Sequence, residues 1–325
     1  MTFNTLNQII DQNYQASVNF PADTDILFSN HKNIYKPRIE KRQRKLLQKI
    51  TFLPPFMHQG ERVLHVTTAC SPVSFGEQIL TGAIVFVIKR SLFVFTDRRI
   101  FHIPTKSNFS YRGSIAQILY ADCQKIYTKG RTLIAEYKNG TKERFTCIAS
   151  REKAKVKALL KSISLDGQQS QAQQRTHLCP RCTNPLVENN FTCPACRLHF
   201  KSKTRARRLS IIYPGGGYFY TRHPYFGIAD ALVETYLLLL LLVALLALPE
   251  SLFAVIFLAA ILTIEKSITV YHANRYVAEY IPLQPDVQPN KNYRPQALHH
   301  DRQVHAQTAP AADNQQTLSQ ILSAR

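Results

Sequence analysis

Two Cys-x-x-Cys pairs, Cys179-Pro-Arg-Cys182 and Cys193-Pro-Ala-Cys196, stand ten residues apart. Each pair offers two thiolates from one tight turn, and four thiolates close a tetrahedral shell around a metal, Zn2+ above all. Pro180 and Pro194 stiffen the two turns at the same place, which leaves nearby backbone N–H groups to bond the sulfurs. The intervening Thr-Asn-Pro-Leu-Val-Glu-Asn-Asn-Phe-Thr allows a short hairpin and little core, so such a unit folds largely on metal-binding free energy. With four thiolates no coordination position stays open, and the expected metal is structural rather than catalytic. His177 and His199 flank the pairs as alternative ligands. No βαβ pattern surrounds them, which argues against a redox dithiol.

The other cysteines, Cys70, Cys123 and Cys147, are scattered. An odd total of seven with paired spacing points to metal in a reducing compartment, not to a secreted disulfide framework. Forty-one Lys and Arg against 21 Asp and Glu give a formal charge of +20, which favours an anionic partner, either nucleic acid or a membrane face. Lys201, Lys203, Arg205, Arg207 and Arg208 follow the second pair directly and are the expected lipid- or anion-binding residues. No nucleophile elbow, His-Glu-x-x-His or paired acidic motif occurs, so no enzyme is expected. The run Pro214-Gly215-Gly216-Gly217 lacks the Gly-Lys-Ser/Thr and the preceding strand of a nucleotide loop.

Downstream lie two nearly unbroken apolar runs, Tyr236–Leu248 and Leu252–Ile264, parted by Pro249-Glu250-Ser251. Extended to 227–248 and 252–271, each reaches the roughly twenty residues that span a bilayer. Glu234 and Lys266 each lie about sixteen residues from the turn, so both sit roughly 24 Å from the tip, on the same level of an antiparallel hairpin. An intramembrane ion pair between them lowers the cost of both charges, and separate snorkelling to the headgroups is the alternative. Basic residues flank both outer ends and only Glu250 lies in the turn, so both termini are expected to be cytoplasmic. That makes the chain an expected multi-pass membrane protein. The N-terminus has no basic segment followed by an apolar one and is not read as a cleavable signal.

The elements that position these groups follow from composition. Residues 1–57 read as a polar, basic arm, with a weakly apolar helical stretch around Ile39, Leu46, Leu47 and Ile50. Residues 58–164 hold short β-branched and aromatic runs broken by turn formers, closed by a helix with Ala154, Val156, Leu159, Leu160 and Ile163 on one face and Ser150 as N-cap. Asn139-Gly140 predicts a type I′ hairpin. Residues 165–177 are a Gln-rich linker, 178–200 the cysteine unit, and 201–226 a basic, then Gly- and aromatic-rich approach to the membrane. Residues 227–272 form the two-helix transmembrane hairpin, and 281–325 a disordered tail.

The strand order with Phe93-Val94-Phe95-Thr96-Asp97-Arg98-Arg99-Ile100 resembles the bacterial pleckstrin-homology or GRAM-like domain over about residues 60–164. The cysteine unit resembles the short zinc ribbons of many prokaryotic proteins. Pro214, Gly215, Gly217, Phe219, Tyr220, Gly227 and Ile228 resemble the opening of small bacterial two-helix membrane domains. Together these imply a multidomain chain: an antiparallel β barrel with a C-terminal helix, a zinc ribbon and an α-helical transmembrane hairpin. The implied function is a membrane-anchored, cytoplasm-facing adaptor or sensor that binds a protein partner or anionic phospholipid. In such domains strand-end charges such as Lys89, Arg90, Arg98, Arg99, Lys106 and Arg112 line ligand loops. The alternative is a membrane-tethered regulator that binds nucleic acid through the ribbon and basic segments. The oligomeric state has no signature in the sequence.

Overall fold

The apolar runs become strands that share one central layer. In the computed structural model, residues 21–284 and 287 are described, apart from 75, 79–81, 83, 84 and 107. The tail expected to be disordered falls outside the described residues from 288 on, as does the arm before 21. Strands β1 (Val63–Cys70), β2 (Arg90–Thr96), β3 (Arg99–Pro104) and β4 (Ile115–Leu119) form an antiparallel meander. A short β8 (Thr176–Leu178) pairs with the outer edge of β4. Strands β5 (Cys123–Lys129), β6 (Thr132–Tyr137) and β7 (Lys142–Phe145) make a separate three-stranded sheet. The strands thus divide between two sheets, and no closed barrel occurs among the described residues.

The first sheet is covered on both faces, which is why its strands read as continuous apolar runs. Phe93, Phe95, Ile100 and Ile118 pack with the second sheet and with helix Lys153–Ser162. Val66, Leu92, Val94, Phe101 and Ile103 pack on the opposite side with Leu27, Leu47, Ile50, Leu53 and Phe56. The expected solvated arm is therefore, from residue 21 on, a layer of this core. Two helices carry it, α1 (Thr24–Leu27) and α2 (Pro37–Leu47). From α2 the fully buried Gln43 donates from Nε2 to the Val66 carbonyl at 2.9 Å and accepts the Val66 N–H at 3.2 Å. A side-chain amide here replaces a neighbouring strand.

Two local expectations change. Gly140 has φ +83°, while Asn139 is absent from the positive-φ residues, so the hairpin is not type I′. The Gly140 N–H donates to Tyr137 O and the Tyr137 N–H to Thr141 O, as in a turn relieved by a glycine bulge. The closing helix starts after Glu152, not at Ser150, because Glu152 is drawn inward to an ion pair with Arg42. Ala154 is exposed, and Lys155 is buried in its place, donating to Ser29 Oγ and Asn30 O.

The Thr-Asp-Arg turn between β2 and β3 has a structural basis. Thr96 Oγ1 accepts the N–H groups of Arg98 and Arg99 and donates to Glu61 at 2.7 Å. Arg99 is buried and bonded to both oxygens of Glu61, to Gln117 and to the Phe56 carbonyl. A buried guanidinium stripped of its carboxylate is left uncompensated. Glu61→Ala is therefore expected to destabilise the β unit by about 3–5 kcal/mol, read as a lowered denaturation midpoint; an unchanged midpoint would show the pair to be dispensable.

Candidate metal centre and the base of the helical hairpin

The two cysteine turns have the same backbone. In each, the N–H four residues after the first cysteine donates to that cysteine's carbonyl, from Thr183 to Cys179 and from Arg197 to Cys193. Thr183 and Arg197 both carry positive φ, and each first cysteine donates its N–H to the residue five further on, Asn184 or Leu198. Backbone N–H groups of Arg181 and Cys182 also bond the Cys179 sulfur. The four Sγ atoms lie within 4.8 Å of one another, with Cys179–Cys196 and Cys182–Cys193 each 3.5 Å apart. A tetrahedron with metal–sulfur bonds of about 2.3 Å has edges near 3.8 Å, so the donor set fits a four-thiolate metal centre. His177 packs tilted against Tyr280 with ring centroids 4.8 Å apart, and His199 bonds Thr192 at 3.1 Å; neither joins the cluster.

The cysteine unit is built into its surroundings. β8 runs straight into Cys179, and Tyr280 packs on Phe191 and Phe200. The residues read as a flexible linker are engaged: Ser170 bonds Asp122 through both N–H and Oγ, and Arg175 pairs with Glu143 at 3.0 Å.

Beyond the cysteines lie four helices: α5 (Lys203–Ile212), α6 (Gly216–Tyr220), α7 (Pro224–Leu246) and α8 (Leu252–Val277), where α3 is Val85–Ile88 and α4 Lys153–Ser162. At 1.5 Å per residue α7 and α8 measure about 34 and 39 Å. Both are long and apolar enough to cross a membrane, with mean hydropathy 2.2 and 2.0. Neither is a soluble core helix, since Leu246 and Phe253 are 80 and 82 % exposed among many others. The glycine run serves packing. A Cβ on Gly215 would lie 2.1 Å from the Gly227 carbonyl, and one on Gly217 2.0 Å from Ser210 Oγ.

The basic run divides. Lys203, Arg205, Arg207 and Arg208 are exposed on α5. Lys201 is not: its ammonium is buried against the Tyr220 carbonyl, and burial first, then Arg222, pushes it down to about 8. Of the strand-end charges, Lys89 pairs with Glu77 at 3.0 Å, Arg99 with Glu61, and Arg112 donates to His223. Arg98 and Lys106 stay exposed.

Glu234 and Lys266 do meet, with Lys266 Nζ 2.6 Å from Glu234 Oε2 and 2.9 Å from the Ser210 carbonyl. Asp230 and Glu265, charges that the extended apolar runs admit but that the sequence alone gives no partner, lie beside them. Their spacing was the available signal: Asp230 and Glu234 are i,i+4 on α7, and Glu265 and Thr269 are i,i+4 on α8. The last turns of α8 leave the apolar zone and dock on the β unit. Tyr271 bonds Ser74 at 2.8 Å, Arg275 reaches Glu77 at 3.5 Å, and Tyr276 stacks on His223 at 4.1 Å.

Just past α8, Arg175 lies 3.5 Å from Glu279 and donates to His102 Nδ1 at 3.2 Å. A guanidinium only donates, so His102 is neutral with its proton on Nε2, facing Ser71 and Ser91. Burial and Arg175 push His102 down to about 3 from 6.5. Burial opposes ionisation of Glu279, but Arg175 holds it down to about 2.

No family model matches the chain, and no curated protein matches it. A solved structure, the C-terminal domain of an unknown protein from Leishmania infantum, aligns over 38 % of this chain and 95 % of its own at 17 % identity, with a TM-score of 0.23. That likeness carries no argument about fold or function.

Two outcomes follow. The native state resists protonating His102, so its contribution is full above pH 6.5 and declines toward pH 3; that of Glu279 is full above pH 4.5 and is lost toward pH 2. Thermal midpoints of the full chain should fall on acidification below pH 6.5, and His102→Gln should flatten the first part of that fall. Lys266→Met leaves the Glu234 carboxylate buried and unpaired and should destabilise the helices more than the double change with Glu234→Gln, as read from thermal unfolding in detergent.

Proposed function

We propose that the chain is a membrane-anchored adaptor or sensor. Helices α7 and α8 cross the bilayer as a hairpin, the cysteine unit holds Zn2+ as a structural ribbon, and the β unit presents a surface to a protein partner or an anionic lipid headgroup. One observation carries the reading: two long apolar helices expose their flanks while their base is bonded to a polar, basic domain. The turn between the helices holds Glu250 alone, whereas Arg205, Arg207 and Arg208 stand exposed on α5, which packs against α8. That asymmetry favours both chain ends on the cytoplasmic side of a bacterial inner membrane, where thiolates stay reduced. Each exposed basic residue near an anionic leaflet adds about 1 kcal/mol of attraction.

The centre is structural because all four donors are thiolates. The nucleic-acid reading is weaker, since Arg181 is the one basic residue from Cys179 to Cys196 and the basic run that follows the cysteines is exposed on α5, against the apolar helix α8.

The test uses the full chain in zwitterionic nanodiscs, offered anionic vesicles or duplex DNA at two salt concentrations. Vesicle capture that weakens with salt is expected. DNA capture with a steep salt slope would favour the nucleic-acid reading, and binding of neither would leave a protein partner. Metal analysis should find one zinc per chain, and a value near zero would overturn the ribbon assignment.

A further inference from the structure

At the base of the hairpin, Asp230, Glu234 and Glu265 place carboxylate oxygens within 4.8 Å of one another. Among the described residues the cation bonded to them is Lys266, which takes one oxygen of Glu234. Three carboxylates against one ammonium leave two formal negative charges at the lipid–water boundary. Like charges this close in a low-dielectric setting repel strongly unless a cation or protons compensate. Glu234 is fully buried, and its Oε1 has no hydrogen-bond partner; nor does Glu265 Oε2. A buried carboxylate oxygen without a donor calls for a ligand. The Thr269 hydroxyl lies 3.2 Å from Asp230 and 3.0 Å from Glu265, adding a neutral oxygen to the set.

We propose that Asp230, Glu234, Glu265 and Thr269 form a binding site for a hard divalent cation of calcium size, with Lys266 as the fixed counter-charge. This rests on reading α7 and α8 as membrane-spanning. Three oxygens no more than 4.8 Å apart lie within about 2.8 Å of a common centre, so a small inward shift brings them to the roughly 2.3–2.6 Å of Ca2+–oxygen bonds. An all-oxygen set prefers hard ions, in contrast to the thiolates of the cysteine unit. Asp230 and Glu265 are only half-buried and leave the site accessible, while Glu234 is fully buried. The ion would join the two helices where they leave the membrane, cancelling the two uncompensated charges.

The zinc-loaded full chain in detergent tests this with Ca2+ as probe, by titration calorimetry and thermal unfolding. One Ca2+ per chain is expected, with a raised midpoint. Glu265→Gln and Asp230→Asn should each weaken binding about tenfold or more and abolish the calcium-dependent rise. Because both changes relieve repulsion, neither should lower the calcium-free midpoint, which separates loss of the ligand from loss of the fold. No binding at millimolar Ca2+, or binding unchanged in both variants, overturns the site. If Ca2+ does not bind and infrared spectra at neutral pH show a protonated carboxyl that Glu265→Gln removes, protons supply the compensation and the metal is excluded. Vesicle capture by the β unit is a separate readout, so failure of one reading leaves the other standing.

Discussion

Everything in this molecule turns on one constraint: a charge or polar group carried out of water must find its partner inside the protein. Helix α8 meets it at both ends of its polar segment. Lys266, on the apolar side, is bonded to Glu234 and the Ser210 carbonyl. A turn or two later, Tyr271 and Arg275 are bonded to Ser74 and Glu77 of the β unit. Because Glu77 also holds Lys89, the same carboxylate ties the edge of β2 to the helix. The soluble and apolar halves are thus joined through partnered charges, without a large shared apolar core.

The same rule organises the β unit. Glu61 and Arg99 neutralise each other under the β2–β3 turn, and Gln43 satisfies an otherwise bare strand residue. Arg175 links Glu143 of β7 to Glu279 beyond α8 and fixes the tautomer of His102 between them. Each of these groups sits where two elements meet, so each sets register or position as much as it adds stability.

What was legible in the sequence had local causes. The four cysteines needed only their spacing, and the apolar helices only their length. Glu234 and Lys266 could be paired in advance because a tight turn fixes the depth of both. What was not legible depended on distant chain. The stretch around α2 holds too few apolar residues to announce a core helix, and its burial follows from Leu53 and Phe56 beyond it and from the face of β1 that it covers. Lys201 is indistinguishable from its basic neighbours until the Tyr220 carbonyl is brought over it. Asn139-Gly140 had two turn solutions, and the Asn139 side chain decides between them by accepting the Thr141 N–H. The two-sheet division of the strands likewise had no local marker.

One feature has a geometric result. The chain leaves the first sheet at β8, passes through the cysteine turns into α5, and returns from α8 to lay Ile281 against Lys201 and Pro282 against Phe200. Two separate stretches of chain therefore fasten the β unit to the helical base, one through the cysteine turns and one just past α8, where the Glu279 carbonyl accepts from Ser114 Oγ. A single tether would let the β unit swivel; a double one works as a bracket. It fixes both the distance of the β unit from the two apolar helices and the direction its loops face, so the β unit and the helices turn as one body.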